Sequence, residues 1–191
     1  MDHKGDTVRL YTAQAAPVLA ALERDGVCCN RVEYVERKYA ESSAIFLTAY
    51  RWFAAEAAKL VPPPESNILP YWVFAEKYSV DTSGGGTVLT LDVPAEEAVF
   101  FDLYDWQKIL CLKPLFECES KERAFMKELR DRGLTVEQVM LSSFYPELKA
   151  EITGSWQQLF RHHRAIRAGE PSDARGVQAA LWRIKKEWIA E

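Results

Sequence analysis

The stretch TVLTLDVPAEEAVFFDLYDWQKILCL, residues 87–112, decides the fold of this chain because it contains a strand, a turn, a second strand and a helix in succession. In Thr87–Val93 apolar side chains alternate with more polar ones, which is the period of a half-buried strand. Pro94 lacks the amide hydrogen that a strand ladder needs, so it ends this strand before Ala98–Phe101 begins another apolar run. The stretch therefore predicts two strands joined by a short turn.

A helix follows directly from the second strand. Asp102 is predicted to cap it, because a carboxylate at this position accepts hydrogen bonds from the free N–H groups of the first turn. Asp105 adds negative charge near the positive end of the helix dipole. Trp106, Ile109 and Leu110 form the apolar face by which this helix would pack on the strands.

The opening of the chain predicts a strand, a helix and a strand. Val8–Tyr11 is a short strand candidate, and Ala15–Asp25 is predicted to be a helix with its proline in the first turn. Gly26 is a typical residue at which a helix ends, and Val27–Val32 then returns as a second strand. This order is typical of a sheet with a helix on one face.

The middle of the chain supplies a central helix and an aromatic strand. Glu41–Leu60 is apolar on most of its surface, which predicts a buried helix, and Tyr71–Ala75 alternates as a strand with aromatic residues on both faces. Arg51 lies within that helix. It needs a carboxylate partner, an anionic ligand or a route to solvent.

The second half of the chain is predicted to be largely helical. The predicted helices are Lys121–Arg132, a short helix with a capping box at Thr135–Gln138, Pro146–Arg161 and the C-terminal Val177–Ala190. On the C-terminal helix, Gln178 and Trp182 would share one face because they are four residues apart.

The sequence as a whole predicts an α+β fold. With 191 residues and 48% hydrophobic content, the chain is long enough for one substantial core, so residues 1–191 are predicted to form a single domain. We expect a small mixed or antiparallel sheet of about five strands packed by helices, with a helix-rich C-terminal half.

The formal net charge of −4 argues against nucleic acid as a partner. One basic run, Arg161–Arg167, is either a solvated helix end or a local contact for nucleic acid. The N-terminal residues have no apolar signal region, and no apolar run approaches the length of a membrane span. We therefore expect a cytoplasmic protein without a membrane partner.

No metal site is predicted. The four cysteines are Cys28, Cys29, Cys111 and Cys118. Their spacing matches neither a zinc quartet nor a disulfide framework, so we expect four reduced and mostly buried thiols, with the two adjacent ones facing opposite ways on a strand. His162 and His163 are neighbours on a predicted helix, where side chains about 100° apart do not easily address one ion.

Several segments from end to end of the chain carry a family similarity. They are Leu10–Gln14, Tyr50–Trp52 before Pro62–Pro64, Pro70–Phe74, Thr87–Phe101 with Asp102 and Trp106, Ser155–Trp156 with Phe160, and Gln178–Ala179 with Trp182. In these segments the chain resembles an uncharacterised bacterial family, the domain of unknown function 3841 family. Tyr11 stands where that family more often has tryptophan, which would change the shape of a pocket there. The resemblance implies no reaction.

The resemblance does imply where to search for a shared cleft. The motif positions to search are Trp52, Trp72, Asp102, Trp106, Ser155, Trp156, Gln178 and Trp182. From these we predict one pocket bordered by five residues and reached by one charged group. The five are Trp72, Asp102, Trp106, Gln178 and Trp182, and the charged group is Arg51. The alternative roles are a helix cap for the aspartate, core packing for the tryptophans and a backbone-satisfied buried amide for the glutamine. Trp52 and Trp156 are predicted to be mainly structural.

Two function hypotheses remain open. The first is a binding module whose aromatic-lined cleft holds a small molecule, nucleotide or peptide without converting it, and it needs no cofactor. The alternative is a nucleotide-handling enzyme resembling ADP-ribosyltransferases, with NAD as its cofactor. Thr12 stands where many such transferases have histidine or arginine, and Glu187 is only a positional match for their catalytic glutamate. Ser155 lacks the flanking glycines of a nucleophile elbow, so the residues favour the binding module.

Overall fold

The computed structural model describes residues 3, 4, 6–31 and 43–190. Within those residues the strands are β1 His3–Lys4, β2 Thr7–Gln14, β3 Val27–Arg31, β4 Ile68–Leu69, β5 Tyr71–Phe74, β6 Thr87–Pro94, β7 Ala98–Asp102, β8 Val177–Leu181 and β9 Arg183–Lys185. The helices are α1 Ala16–Asp25, α2 Ser43–Ala57, α3 Leu103–Leu110, α4 Glu119–Asp131, α5 Val136–Leu141, α6 Pro146–Ser155 and α7 His163–Arg167. Single 3₁₀ turns cover Lys77–Ser79, Ala95–Glu97, Trp156–Phe160 and Lys186–Trp188.

The fold is α+β with antiparallel strand pairing, as the sequence predicts. In the larger sheet the strand order is β1, β2, β5, β8 and β7, and β6 lies along the other edge of β2. A smaller sheet of β4, β3 and β9, which the sequence did not predict, lies beside it. All five predicted strands are present, and β3 belongs to this smaller sheet.

The larger sheet is divided between β2 and β5. Strand β6 pairs with β2 over its whole length, from Thr7 to Gln14, whereas among the described residues β5 pairs with β2 only through Tyr11 and Phe74. The turn Ala95–Glu97 joins β6 directly to β7, although these strands lie on opposite edges of the sheet. The sheet therefore consists of two halves, β6–β2–β1 and β5–β8–β7, which share one hydrophobic layer.

Two hydrophobic layers lie on opposite faces of the second half. Val73, Phe100 and Leu181 face the layer shared with β2 and β6. The chain neighbours Trp72, Phe101 and Ala180 face the other layer, which α2, α3, α4, α5 and α6 cover. Because β5, β7 and β8 contribute to both layers, the described residues form one domain.

The helix caps agree with the sequence. Asp102 accepts hydrogen bonds from the N–H groups of Tyr104 at 2.8 Å and Asp105 at 3.2 Å. Thr135 and Gln138 form the predicted capping box at the start of α5. These two caps fix where the chain leaves β7 and where α5 begins.

The predicted C-terminal helix Val177–Ala190 is wrong, because the structure has β8, β9 and a 3₁₀ turn there. Strand β8 lies between β5 and β7, and its residues 178–181 are buried on both faces. A short apolar run that is buried on both faces has no alternation, so its pattern does not distinguish a strand from a buried helix.

Other boundaries differ by smaller amounts. The predicted helix Pro146–Arg161 ends as an α-helix at Ser155 and continues as a 3₁₀ turn. Val32 at the end of one predicted strand and Glu41 at the start of the central helix lie outside the described residues. None of the described helices is long and apolar enough to cross a membrane.

The cysteines are less buried than predicted. All four are free thiols, but Cys111 and Cys118 are exposed, because they lie at the end of α3 and at the start of α4. Cys28 and Cys29 are partly buried on β3. They pack against different hydrophobic layers, as expected for neighbours on a strand.

Candidate functional site

A cavity of about 1020 Å³ lies where the two halves of the larger sheet separate. Its walls come from the end of β2, from α1, from β3, from β5 and from α2. We call it the split-sheet cleft. Four aromatic residues line it, namely Tyr50, Tyr71, Trp72 and Phe74.

The separation of β2 from β5 begins just after Tyr11. Beyond that pair, a side chain connects the two strands. Thr12 Oγ1 donates a hydrogen bond to the carbonyl oxygen of Trp72 at 3.0 Å. Gln14 Nε2 in turn donates to Thr12 Oγ1 at 2.8 Å. Thr12 therefore connects the two strands where their ladder has ended, and both polar residues line the cleft.

Trp72 is supported by other rings. It lies 5.4 Å from the ring of Tyr50, which also lines the cleft. From the interior, Trp106 contacts it at a centroid distance of 4.9 Å, and Phe53 does so edge-on at 5.0 Å. Packed aromatic neighbours restrict the rotamer of a ring, so the indole of Trp72 is held in position before any ligand arrives.

The β3 wall carries two thiols. Tyr71 Oη donates a hydrogen bond to Cys28 Sγ at 3.1 Å. Burial raises the pKa of the Cys29 thiol, and the hydrogen bond and negative charge of Glu65 raise this pKa further. All four residues line the cleft, and Cys29 is accordingly held as a neutral thiol.

Charged side chains of both signs lie at the edge of the cleft. Arg24 makes a two-pronged contact with Asp25, at 2.8 and 2.6 Å, and the hydrogen bond from this guanidinium lowers the pKa of the Asp25 carboxyl. Both side chains are exposed, so the pair adds little to stability. Arg31, Glu65 and Asp81 also line the cleft, which therefore offers charge at its edge and aromatic rings inside.

Of the six residues predicted to bind a ligand, all of which the structure describes, Trp72 is the one that lines the cleft. Trp106 is buried behind it and contacts its ring. Asp102 is buried at the start of α3, where it also accepts the N–H of Arg175 at 2.6 Å. Its carboxylate thus connects α3 to the segment that precedes β8.

The other three predicted residues lie elsewhere. Gln178 is buried on β8 between Phe74 and Phe101, and its Oε1 has no hydrogen-bond partner among the described residues. Trp182 is buried, and its indole N–H donates to the carbonyl oxygen of Val61 at 2.6 Å. Arg51 is exposed on α2. That these residues share a ligand with Trp72 stays a prediction.

Thr12 and Gln14 line the cleft but were not among the residues predicted to bind a ligand. Their positions continue the buried face of β2 that begins with Val8 and Leu10, so two polar side chains occupy an otherwise apolar face. That exception to the alternation was a readable signal, since a buried polar side chain must be hydrogen-bonded or functional.

Two other residues considered for catalysis have different surroundings. Ser155 Oγ accepts the N–H of Leu115 at 2.8 Å and donates to a carbonyl of its own helix, so it fixes a loop. Glu187 is exposed on the last 3₁₀ turn and pairs with Lys185 at 3.3 Å. Within the described residues, no group of three or more His, Cys, Asp or Glu side chains is placed to hold a metal ion.

Comparison with known proteins gives one result. The family model described as "Domain of unknown function (DUF3841)" matches residues 9–190, nearly the whole chain. Neither the comparison with curated proteins nor the comparison with solved structures gave a significant match.

Proposed function

We propose that this chain, which belongs to the DUF3841 family, is a binding module that holds a small molecule of the nucleotide class in the split-sheet cleft. The observation that carries the proposal is the combination of aromatic rings with two buried, hydrogen-bonded polar side chains at the point where β2 and β5 separate. Small-molecule sites typically combine apolar and aromatic walls with a few fixed polar groups.

The size of the cleft favours a nucleotide over a single small fragment. Ligand cavities that bury a drug-sized molecule have volumes of about 300–1,000 Å³. The split-sheet cleft, at about 1020 Å³, is at the upper end of this range. A base, a ribose and a phosphate fit such a volume.

The distribution of groups in the cleft matches the parts of a nucleotide. Trp72 and Tyr71 offer aromatic surface, and stacking of a base on such a ring contributes about 1–3 kcal/mol. Arg31 at the edge offers a cation for a phosphate group. A peptide ligand would use the same rings but has less need of the arginine.

A thermal-shift screen tests the proposal with AMP, NAD, nicotinamide and an uncharged tripeptide as probes. We expect a nucleotide to raise the midpoint by about 5–10 °C at about a hundredfold excess over its Kd. Two variants on α1 form a matched pair. Ala21→Trp places a large side chain in the cleft, whereas Ala20→Trp places it on the exposed face.

The shift should disappear in Ala21→Trp and persist in Ala20→Trp. Equal shifts in the two variants would place the ligand outside the cleft. If only the tripeptide raised the midpoint, the ligand would belong to the peptides and not to the nucleotides. The absence of any shift in the unmodified protein would contradict the proposal.

The second proposal is a nucleotide-handling enzyme resembling ADP-ribosyltransferases, favoured by the carboxylates of Glu65 and Asp81 in the cleft lining. A carboxylate there would stabilise the positive charge that develops on the ribose when the bond to nicotinamide breaks. Release of nicotinamide from NAD would identify the enzyme, and it should fall in Glu65→Gln but not in the exposed control Glu170→Gln. NAD that binds without nicotinamide release would identify the binding module.

A further inference from the structure

We infer that Gln14 recognises a ligand edge that carries one hydrogen-bond donor beside one acceptor. Thr12 orients the carboxamide of Gln14 for this contact. The inference rests on the proposed binding function and adds the chemistry that the cleft selects. An adenine base and a primary carboxamide such as that of nicotinamide both present this edge.

Both side chains are buried although both line the cleft. Thr12 has 2% and Gln14 9% of its surface exposed, and both belong to the buried face of β2. Gln14 Oε1 is not among the buried side-chain atoms that lack a hydrogen-bond partner in the described part of the chain, so this oxygen reaches the open cleft. A ligand in the cleft can therefore pair with it.

The hydrogen-bond chain determines which way the amide of Gln14 points. Thr12 has one hydroxyl proton, and it donates this proton to the carbonyl oxygen of Trp72 at 3.0 Å. A hydroxyl with its proton engaged can only accept, so the group 2.8 Å from Thr12 Oγ1 must be the NH₂ of Gln14 and not its oxygen. The backbone of Trp72 thus fixes the amide orientation.

The contact with Thr12 uses one of the two amide protons of Gln14. The second N–H and the oxygen Oε1 are then left for a ligand. The N–H donates and Oε1 accepts, so the matching ligand edge must carry one acceptor beside one donor. Glutamine and asparagine read adenine through such a two-point contact.

The backbone of Gln14 is also held in place. A Cβ atom added to Gly86, just before β6, would lie 3.2 Å from the carbonyl oxygen of Gln14 and 3.3 Å from its nitrogen. Because these distances are too short for an unstrained contact, the glycine lets the β6 segment pack directly on this residue. The backbone of Gln14 and the amide group of its side chain are therefore both held in place, as a selective site requires.

The test uses two ligand pairs that differ in the donor alone. Adenosine is compared with purine riboside, which lacks the exocyclic amine, and nicotinamide with 3-acetylpyridine, in which a methyl group replaces the NH₂. A two-point contact should make the amine-bearing member of at least one pair bind about tenfold or more tightly to the unmodified protein. Calorimetric titration gives the ratio of the two Kd values.

Three variants test whether Gln14 and Thr12 cause this difference between the two Kd values. In Gln14→Met, which keeps the volume and loses both polar groups, the ratio should fall to about one. Thr12→Val should lower the ratio because the amide is no longer oriented, and Thr12→Ser should restore it. If Gln14→Met does not fold, Gln14→Glu serves in its place, since it keeps a side-chain acceptor and loses both N–H groups, including the one that donates to Thr12.

The outcomes separate this inference from the proposed function. Binding with an unchanged ratio in the Gln14 variant would overturn the role of Gln14 and leave the binding cleft in place. A reduced ratio in Thr12→Ser as well as in Thr12→Val would overturn the orienting role of the hydroxyl. Failure of all four compounds to bind the unmodified protein would overturn the inference and the proposed function together.

Discussion

The hydroxyl oxygen of Thr12 lies 3.0 Å from the carbonyl oxygen of Trp72, across the gap between β2 and β5. A side chain thus makes the connection that a strand ladder would otherwise make. Because the strands are held but not closed, the sheet has an opening lined by the aromatic residues of β5. The cleft is therefore a consequence of strand pairing that stops after Tyr11 and Phe74.

Trp156 is predicted to be a structural residue. It is fully buried, its indole N–H donates to the carbonyl oxygen of Lys113 at 2.8 Å, and its ring meets Trp52 edge-on at 5.2 Å. Replacement of Trp156 by alanine should lower the free energy of unfolding by about 3–5 kcal/mol. Urea denaturation followed by circular dichroism gives this value.

Phe144→Ala is the matched control for that change, because Phe144 is 83% exposed. It should change the free energy of unfolding by less than about 0.5 kcal/mol. If Trp156→Ala kept the unmodified midpoint and instead abolished ligand binding, the structural role of Trp156 would be wrong.

His163 should make the fold sensitive to acid. Burial, with smaller contributions from the charges of Arg167 and Arg164, lowers the pKa of His163 from 6.5 to about 4, and its Nδ1 accepts the N–H of Phe100 at 3.1 Å. Between these two pKa values the unfolded chain binds a proton that the folded chain does not. This contribution to stability is therefore complete above pH 6.5 and is lost as the pH falls toward 4.

The loss from this one group should approach about 1.4 kcal/mol per pH unit in the middle of the window. His163→Asn keeps an acceptor for the Phe100 N–H but does not titrate, so its free energy of unfolding should fall less steeply with acid. Urea unfolding at several values between pH 7 and pH 4.5 measures both slopes. Identical slopes in the two proteins would show that His163 is not the group responsible.

Asp102 is expected to stabilise the junction between β7 and α3. In Asp102→Asn an amide NH₂ would compete for the position where a carboxylate oxygen now accepts the N–H of Arg175 at 2.6 Å. A donor facing a donor in a buried site should cost about 1–3 kcal/mol of unfolding free energy. Asp131→Asn, on the exposed surface of α4, should have almost no effect. Lost ligand binding at unchanged stability would instead support the ligand-binding role that the sequence suggests.

Gln178 provides a test of whether a buried amide stabilises the fold. Its Oε1 has no hydrogen-bond partner within the described chain, so Gln178→Met should leave the free energy of unfolding unchanged or raise it. The exposed Gln107→Met is the control for the substitution itself. A loss of more than about 1 kcal/mol would mean that the amide has a stabilising partner. Loss of ligand binding alone would place Gln178 in the site.

The fold could be predicted where a local pattern decides it. Alternation in Thr87–Val93 and the cap at Asp102 define β6 and α3 without any knowledge of distant contacts. Strand β8 could not be identified in this way, because β5 and β7 cover both of its edges and its residues are buried on both faces. Its strand character is set by its neighbours in the sheet, and no local period encodes it.

The site was less predictable than the fold, because it depends on where two strands separate. Trp72 could be selected as an aromatic strand residue, but its partner Thr12 is 60 residues away in the sequence. The polar side chains of Thr12 and Gln14 on a buried face were visible in the sequence, whereas the gap that makes them accessible exists only in the folded chain. Asp102 and Trp182 were selected for their chemistry, and the fold uses them for a helix cap and for core packing.

The most direct test of a ligand in the split-sheet cleft is the indole N–H resonance of Trp72, followed by NMR during titration with AMP and with nicotinamide. The chain has six tryptophans, so Trp72→Phe assigns the signal. Trp156, whose indole N–H is bound to the carbonyl oxygen of Lys113, serves as the internal reference. We predict that at least one of the two compounds shifts the Trp72 resonance to saturation while that of Trp156 stays in place. A Trp72 resonance that is unmoved by millimolar concentrations of both compounds would contradict the account.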